Sequence, residues 1–266
     1  MKNLLRSDFY RLFRSKSFYI CTFVAALLMA LNIFIIDWSI RVTSTLENAA
    51  ATMPFAVNPY TNGISYGMIA FTGGDVHMFI AIFTAIFITA EFSHGTMKNA
   101  VSKGFHRVQI YSTKMITMTA AAFLMMFVMF VIGTIAATIV TGTLGDISGV
   151  LIGQMLKTIG MEFLLHTSLI AIFVMIAMTI KNIGGVIAID IIGVITLSGL
   201  VYLLLEFLFK NTIHFTKYSL INNIKFYYMN TTATGDDYLR SILVGIAFLV
   251  VATALGIFAF IKTDVK

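Results

Sequence analysis

The chain has 266 residues, 59% hydrophobic and 11% charged, with a mean hydropathy of +0.92 and a formal net charge of +6. Soluble domains carry about 25% charged residues, so a globular domain solvated by water is excluded. The positive balance gives no footing to nucleic-acid binding, because no soluble basic domain exists to carry it.

Residues 1 to 16 contain "KNLLRSDFYRLFRSK". Leu5, Phe9, Leu12 and Phe13 recur at helical spacing, while Lys2, Arg6, Arg11 and Arg14 lie mostly elsewhere around the wheel. This pattern predicts an amphipathic helix lying on the inner leaflet. A plain polybasic flank that fixes topology is compatible with the same residues.

Charge-free runs follow at Ser17 to Ile36, Val76 to Ala90, Met115 to Gly145, Phe163 to Ile180 and Ser241 to Ile261. Asp190 alone interrupts a further run from Asn182 to Leu205. A membrane crossing needs roughly 20 residues, so residues 17 to 266 fit six spans at about 18–38, 74–92, 112–140, 159–180, 183–206 and 240–261. The first apolar run is too long for a signal-peptide core, and no small-residue cleavage site follows it. Its Cys21 is the single cysteine, so no intrachain disulfide is possible.

Six spans put both termini on one side. That side holds Lys2, Arg6, Arg11, Arg14, Lys16, Lys98, Lys103, Arg107, Lys114, Lys181, Lys262 and Lys266. Only Arg41, Lys157, Lys210, Lys217, Lys225 and Arg240 fall on the other. Basic loops stay cytoplasmic, so both termini are expected inside a plasma membrane. Residues 39 to 73 read as a long, weakly charged outer loop with both prolines. In 206 to 239, aromatics interleave with lysines, which predicts short interfacial or re-entrant helices rather than a folded ectodomain.

The most polar stretch, "EFSHGTMKNAVSKGFHRVQIYSTK" (91 to 114), lies between spans two and three. Thr96 can N-cap a short helix "MKNAVSK", and Gly104 supplies the left-handed position that ends it. Met97, Ala100 and Val101 share one face, with Lys98, Asn99, Ser102 and Lys103 around the rest. So short a helix is marginal in water and needs a surface to dock on. Its own bundle, lipid headgroups and a cytoplasmic partner all satisfy that need.

This stretch resembles the segment after the second span of ABC-2 type permeases, with Glu91, Gly95, Thr96, Lys98 and Arg107 at the family's acidic, small and basic positions. The opening "MKNLLRSDFYRLFRSKSFYI" is similar to the family's N-terminal interfacial helix, and the branch it resembles serves bacitracin and lantibiotic self-protection and related peptide export. The resemblance implies a permease subunit of an ABC exporter with a coupling helix from His94 to Gly104. It implies that Glu91, Gly95, Thr96, Met97, Lys98, Val101, Lys103, Gly104 and Arg107 form the ATPase-docking segment. It also implies two P-loop ATPase subunits, which carry ATP and Mg, and a second permease copy or paralogue. No G-x-x-x-x-G-K-[ST] is present in the chain, so phosphate cradling must come from a separate polypeptide.

Ionisable groups inside spans invite explanation because burying them in lipid is costly. Asp190 in "VIAIDIIGVI" either lines a path or pairs across helices. Glu162 and His166, four apart, share a face near the outer end of span four, as a hydrogen-bonded pair or as metal ligands lacking the second histidine of H-E-x-x-H. Asp75 and His77 follow Gly73 and Gly74 at the outer end of span two, as helix-start markers or substrate contacts. Glu91 is expected to accept from backbone amides of the turn, and Glu206 to anchor at the interface. Gly184, Gly185, Gly193 and Gly199 suggest close helix packing. Two competing functions remain open: an intramembrane enzyme with Glu162, His166 and Asp190 around a metal, and a proton-coupled carrier using Asp190.

Overall fold

The computed structural model describes residues 1–45, 62–72, 75–146, 149–209, 214–229 and 233–262. The chain is an all-α membrane protein. Its elements are α1 (Lys2–Arg14), α2 (Lys16–Thr45), α3 (Gly63–Thr72), α4 (Asp75–Ser93), α5 (Thr96–Ser102), α6 (Arg107–Thr141) and α7 (Gly149–Ile180). There follow α8 (Ile183–Ala188), a π-helical segment (Ile189–Leu197), α9 (Ser198–Leu208), a 3-10 turn (Phe215–Tyr218), α10 (Leu220–Met229) and α11 (Gly235–Lys262). Six helices are long and apolar enough to cross a membrane.

Burial ranks the spans. Spans two and four are 61% and 56% buried and form the centre, whereas spans one and six are 22% buried and span five only 11%. Phe23, Trp38, Leu204, Phe207 and Val250 on the outer spans are each at least 60% exposed, as lipid-facing side chains are. Between the central helices lie methionines and small residues, among them Met118, Met125, Met126, Ala171 and Ala177, all at most 1% exposed. Unbranched Met fills irregular gaps between crossing helices.

Several helices run longer than the charge-free stretches. Span four begins at Gly149 rather than near 159 and passes exposed Lys157; a long cationic side chain can snorkel outward without ending a helix. Span six begins at Gly235, with Asp236 and Asp237 in its first turn, where acids complement the helix dipole. Span three starts at Arg107 instead of 112 and ends at Gly142, whose φ of 73° only glycine adopts readily.

The largest departure concerns span two. Residues 63 to 72, expected in a loop, form the helix α3, with Gly63, Ile64, Tyr66, Gly67, Ala70, Phe71 and Thr72 buried. Helix α3 lies antiparallel to the second half of α6. Gly63 sits against Thr138, Gly67 against Thr134, and Gly133 against Ala70, each so near that an added Cβ would meet the neighbour within 2.6 Å. Glycines permit this backbone approach, the means by which helices associate without a hydrophobic drive in lipid. Of the glycines expected to do so, only Gly185 comes close, with Ile180 at the end of α7 3.2 Å from an added Cβ; nothing lies within 4 Å of a Cβ on Gly199, and Gly184 and Gly193 meet only residues of their own segment. Prolines 54 and 59 lie outside the described residues.

At the end of span five, Glu206 is tied to the 3-10 turn that follows. Its Oε1 accepts from Thr216 N at 2.8 Å and Thr216 Oγ1 at 2.6 Å. Short helices do occupy this region, and α10 buries Leu220, Ile221, Ile224 and Tyr227 against the bundle; Lys210 lies outside the described residues.

Gly67→Leu should cost about 1–3 kcal/mol or more, since Thr134 Oγ1 lies 1.9 Å from the added Cβ. Gly160→Ala in α7, with nothing within 4 Å, should be neutral or add up to about 1 kcal/mol. Thermal unfolding of the detergent-solubilised variants checks both, and equal effects would contradict the α3–α6 packing.

Candidate functional site

Helix α1, the start of α6 and the end of α4 meet in a buried ionic cluster. Asp8 and Lys114 are each 4% exposed and Glu91 is 5% exposed. Lys114 Nζ lies 2.5 Å from Asp8 Oδ1 and 2.5 Å from Glu91 Oε1. The Arg11 guanidinium pairs with the same Glu91 oxygen, donates from Nη2 to the Phe87 carbonyl at 2.9 Å, and lies 4.1 Å over the Phe87 ring. Two carboxylates and two cations sum to zero charge. Isolated, any of them would be costly to bury; together they satisfy one another.

The residues of α1 turn accordingly. Leu12 is fully buried, Leu5 and Phe9 are half-buried, and Phe13 is 51% exposed. The face against the bundle therefore runs along Leu4, Asp8 and Leu12, with Phe9 at its edge and Phe13 rotated off it. The helix does not simply rest on a leaflet: it is pinned to spans two and three. Ser15, in extended conformation, ends α1, and its Oγ accepts from Phe18 N at 3.4 Å as the chain turns into α2.

Two residues beyond Glu91, α4 ends and the chain turns into α5. Gly95, with a φ of 69°, is the N-cap, so Thr96 is the first helical residue and not the cap; its hydroxyl donates back to the Glu91 carbonyl at 3.2 Å. Only Gly populates that left-handed conformation at little cost. Met97 is fully buried and Val101 half-buried, whereas Lys98, Asn99, Ser102 and Lys103 point away, exposed. Gly104, with a φ of 81°, ends the helix, and its N–H donates to Val101 O at 3.0 Å. The expected apolar and basic faces are both present.

Arg107 turns inward. Its Nη1 donates to the carbonyls of Phe260 at 2.7 Å and Ile261 at 2.9 Å, closing the C-terminal turn of α11, where a cation also meets the negative end of the helix dipole. One turn on, the ring of Tyr111 fills the space that a side chain on Gly256 would occupy. The Lys181 ammonium lies 5.1 Å over the Phe92 ring. These contacts place α1, α5 and the ends of α4, α7 and α11 at one end of the bundle. Glu91 thus serves Lys114 and Arg11 instead of the backbone amides of the turn.

The other candidates lie deeper. Counting about 1.5 Å per residue, His77 and His166 are about 21–24 Å along their helices from that end. They are inside the bundle and not at its outer rim, because α3 supplies the upper part of span two. His166 Nδ1 lies 3.0 Å from Glu162 Oε2, and the His77 and His166 rings stack at 4.9 Å. Asp75 opens α4. Asp190 is fully buried in the π-helical segment, with no hydrogen-bond partner for either carboxylate oxygen. It lies about 10 Å along span five from the α5 end, by the rise per residue, whereas Glu162 is about 27 Å along α7 from it. Among the described residues, no group of three or more His, Cys, Asp and Glu is placed to hold a metal. The metal-centred reading of Glu162, His166 and Asp190 therefore has no assembled ligand set.

Lys114→Met should cost about 3–5 kcal/mol, because it leaves two buried carboxylates facing one cation. Asp8→Asn in that background should recover part of the loss. Arg11→Met should cost less, since its side chain is 37% exposed. Thermal unfolding in detergent measures all three, and equal losses for Lys114→Met and Arg11→Met would contradict the central place of Lys114.

No curated protein matches the chain. Residues 4–199, however, match the family described as ABC-2 family transporter protein. The match runs from α1 to the start of α9 and so contains the ionic cluster and α5 whole. The chain belongs to the ABC-2 transporter family and is a multi-pass permease subunit of an ABC transporter, a family whose members associate with ABC ATPases.

Proposed function

We propose that this chain is the permease of an ATP-driven exporter that moves an amphipathic peptide out of the cell or its membrane, and that α5 is where the ATPase grips. The observation that carries the reading is the joint itself. A seven-residue helix too short to stand alone buries Met97, presents Lys98 and Lys103 outward, and is bonded through Thr96 to the residue that anchors the ionic cluster. A push on α5 reaches span two through Glu91, span three and α1 through Lys114, and span six through Arg107. Rigid elements joined in this way transmit a displacement that soft loops would absorb.

In this reading both termini are cytoplasmic, in keeping with the excess of Lys and Arg at the α5 end. Two ATPase chains bind ATP and Mg, and a second permease, a copy or a paralogue, completes the pathway. Closure of the ATPases on ATP favours one packing of the spans over another, which requires that the two packings differ in their contacts with α5. Peptide cargo is favoured by the likeness of residues 1 to 20 and 90 to 114 to the bacitracin and lantibiotic branch.

Replacing Lys98 and Lys103 together by Glu should abolish most co-purification with the partner ATPase and its stimulation, while leaving the permease folded, because both side chains are exposed. Affinity purification from membranes of cells expressing both subunits measures this. Undiminished assembly and stimulation would remove α5 as the docking element.

A further inference from the structure

Three ionisable side chains at the centre of the bundle take no part in the joint. Glu162 and His166 of α7 and His77 of α4 are each at most 1% exposed. His166 Nδ1 lies 3.0 Å from both the main-chain oxygen and Oε2 of Glu162. On its other side the His166 ring stacks on His77, with planes 8° apart and centroids 4.9 Å apart. The stack joins α4 to α7, the helices of the two most buried spans.

We propose that His77, His166 and Glu162 form a proton-binding site that holds span two against span four while it carries one proton, and loosens them on taking a second. With one proton the three groups are neutral in sum, the condition a low-dielectric interior favours. That proton resides on Nδ1 of His166, facing Glu162, or on the carboxylate itself. A second proton, drawn from water when the bundle opens, forms an N–H bond on an imidazole. Wherever the first proton sits, the second leaves the site with a net positive charge in a poor dielectric, on rings stacked face to face at 4.9 Å, and the interior disfavours that charge.

Neighbouring elements bring few other charges to this level. Helix α6 has no Asp, Glu, Lys, Arg or His between Met115 and Thr141, α11 has none between Ser241 and Ile261, and α2 has none between Ser17 and Ile36. Asp190 faces the bundle lower down, while Asp237, Arg240 and Lys225 lie at the far end of α11 and on α10, and Lys157 is exposed on α7. Asp75 begins the same helix as His77, and Tyr66 lies on α3. Because Glu91 stands in the last turn of α4, loosening that helix from α7 would reach the α5 joint; that consequence, though not the proton site, rests on the permease reading.

The test uses the chain alone in nanodiscs and so needs no ATPase. Nitrogen-15 spectra of its five histidines, recorded from about pH 5 to about 8, are compared with those of His77→Gln, His166→Gln and Glu162→Gln. The exposed His94, His106 and His214 serve as internal controls. The remaining two signals belong to the buried pair, so the wild-type spectra decide the matter even if a substitution prevents folding. The expected result is that this pair titrates in coupled steps and that Glu162→Gln displaces them. Nitroxides at Met78→Cys and Phe163→Cys, in a Cys21→Ser background, should move apart on acidification. Buried imidazoles that keep one protonation state throughout, or that titrate while the nitroxide distance stays constant, would overturn the proposal.

Discussion

Burying Asp8, Glu91 and Lys114 at one end of a lipid-solvated bundle is possible only because the two acids meet two bases in contact, the second of them the part-exposed Arg11. Lys114 stands between Asp8 and Glu91 at 2.5 Å from each, and Arg11 reaches the same Glu91. Withdrawing any one leaves the rest short of a partner in a poor dielectric, so the cluster ties the positions of α1, α4 and α6 to one another. Apolar contacts in a membrane could not do this alone, since a lipid tail competes with Leu or Phe on nearly equal terms. The direction of α1, the turn into α5 and the start of span three all follow from that one constraint.

The same economy of polar groups explains the rest of the fold. Where helices must approach closely, small residues make room, as Gly67 does for Thr134 and Gly256 for the ring of Tyr111. Where a helix ends at the α5 side, its carbonyls find a donor, as α11 does in Arg107. Hydroxyls of Thr89, Thr117 and Ser168 fold back on their own helix carbonyls, and that of Ser168 also reaches Gly245 O on α11 at 2.7 Å. A buried polar atom in lipid has no water to fall back on, which favours such pairings, and Asp190 stands out for making none.

The spans and the short helix after the second were legible in the sequence because length, hydropathy and glycine punctuation are local properties. The ionic cluster was not. Asp8 and Lys114 are 106 residues apart, and Lys114 reads as one more basic residue flanking a span. The single available sign was Asp8 itself, the only acid among the basic residues of the first helix, and on the same face as Leu5 and Leu12. Helix α3 was missed because a ten-residue helix with two glycines, too short to cross a membrane, looks like a loop until Thr134, Thr138 and Gly133 supply its partner surface. Glycines of span five were expected to pack because they recur within a span, but recurrence does not reveal whether a span is central or peripheral. For the same reason Glu162 and His166 could be paired from their spacing, whereas the stacking of His77, which depends on how α4 meets α7, could not.

The central claim is that a separate ATPase drives this chain through α5 and the ionic joint behind it. Hydrogen–deuterium exchange across residues 2 to 14 and 87 to 117, in the native complex and in the isolated chain, tests it most directly. The account predicts that partner binding protects residues 96 to 104, and that nucleotide then alters exchange around Asp8, Glu91 and Lys114. Exchange in residues 96 to 104 that is the same with and without the ATPase, and indifferent to nucleotide, would contradict it.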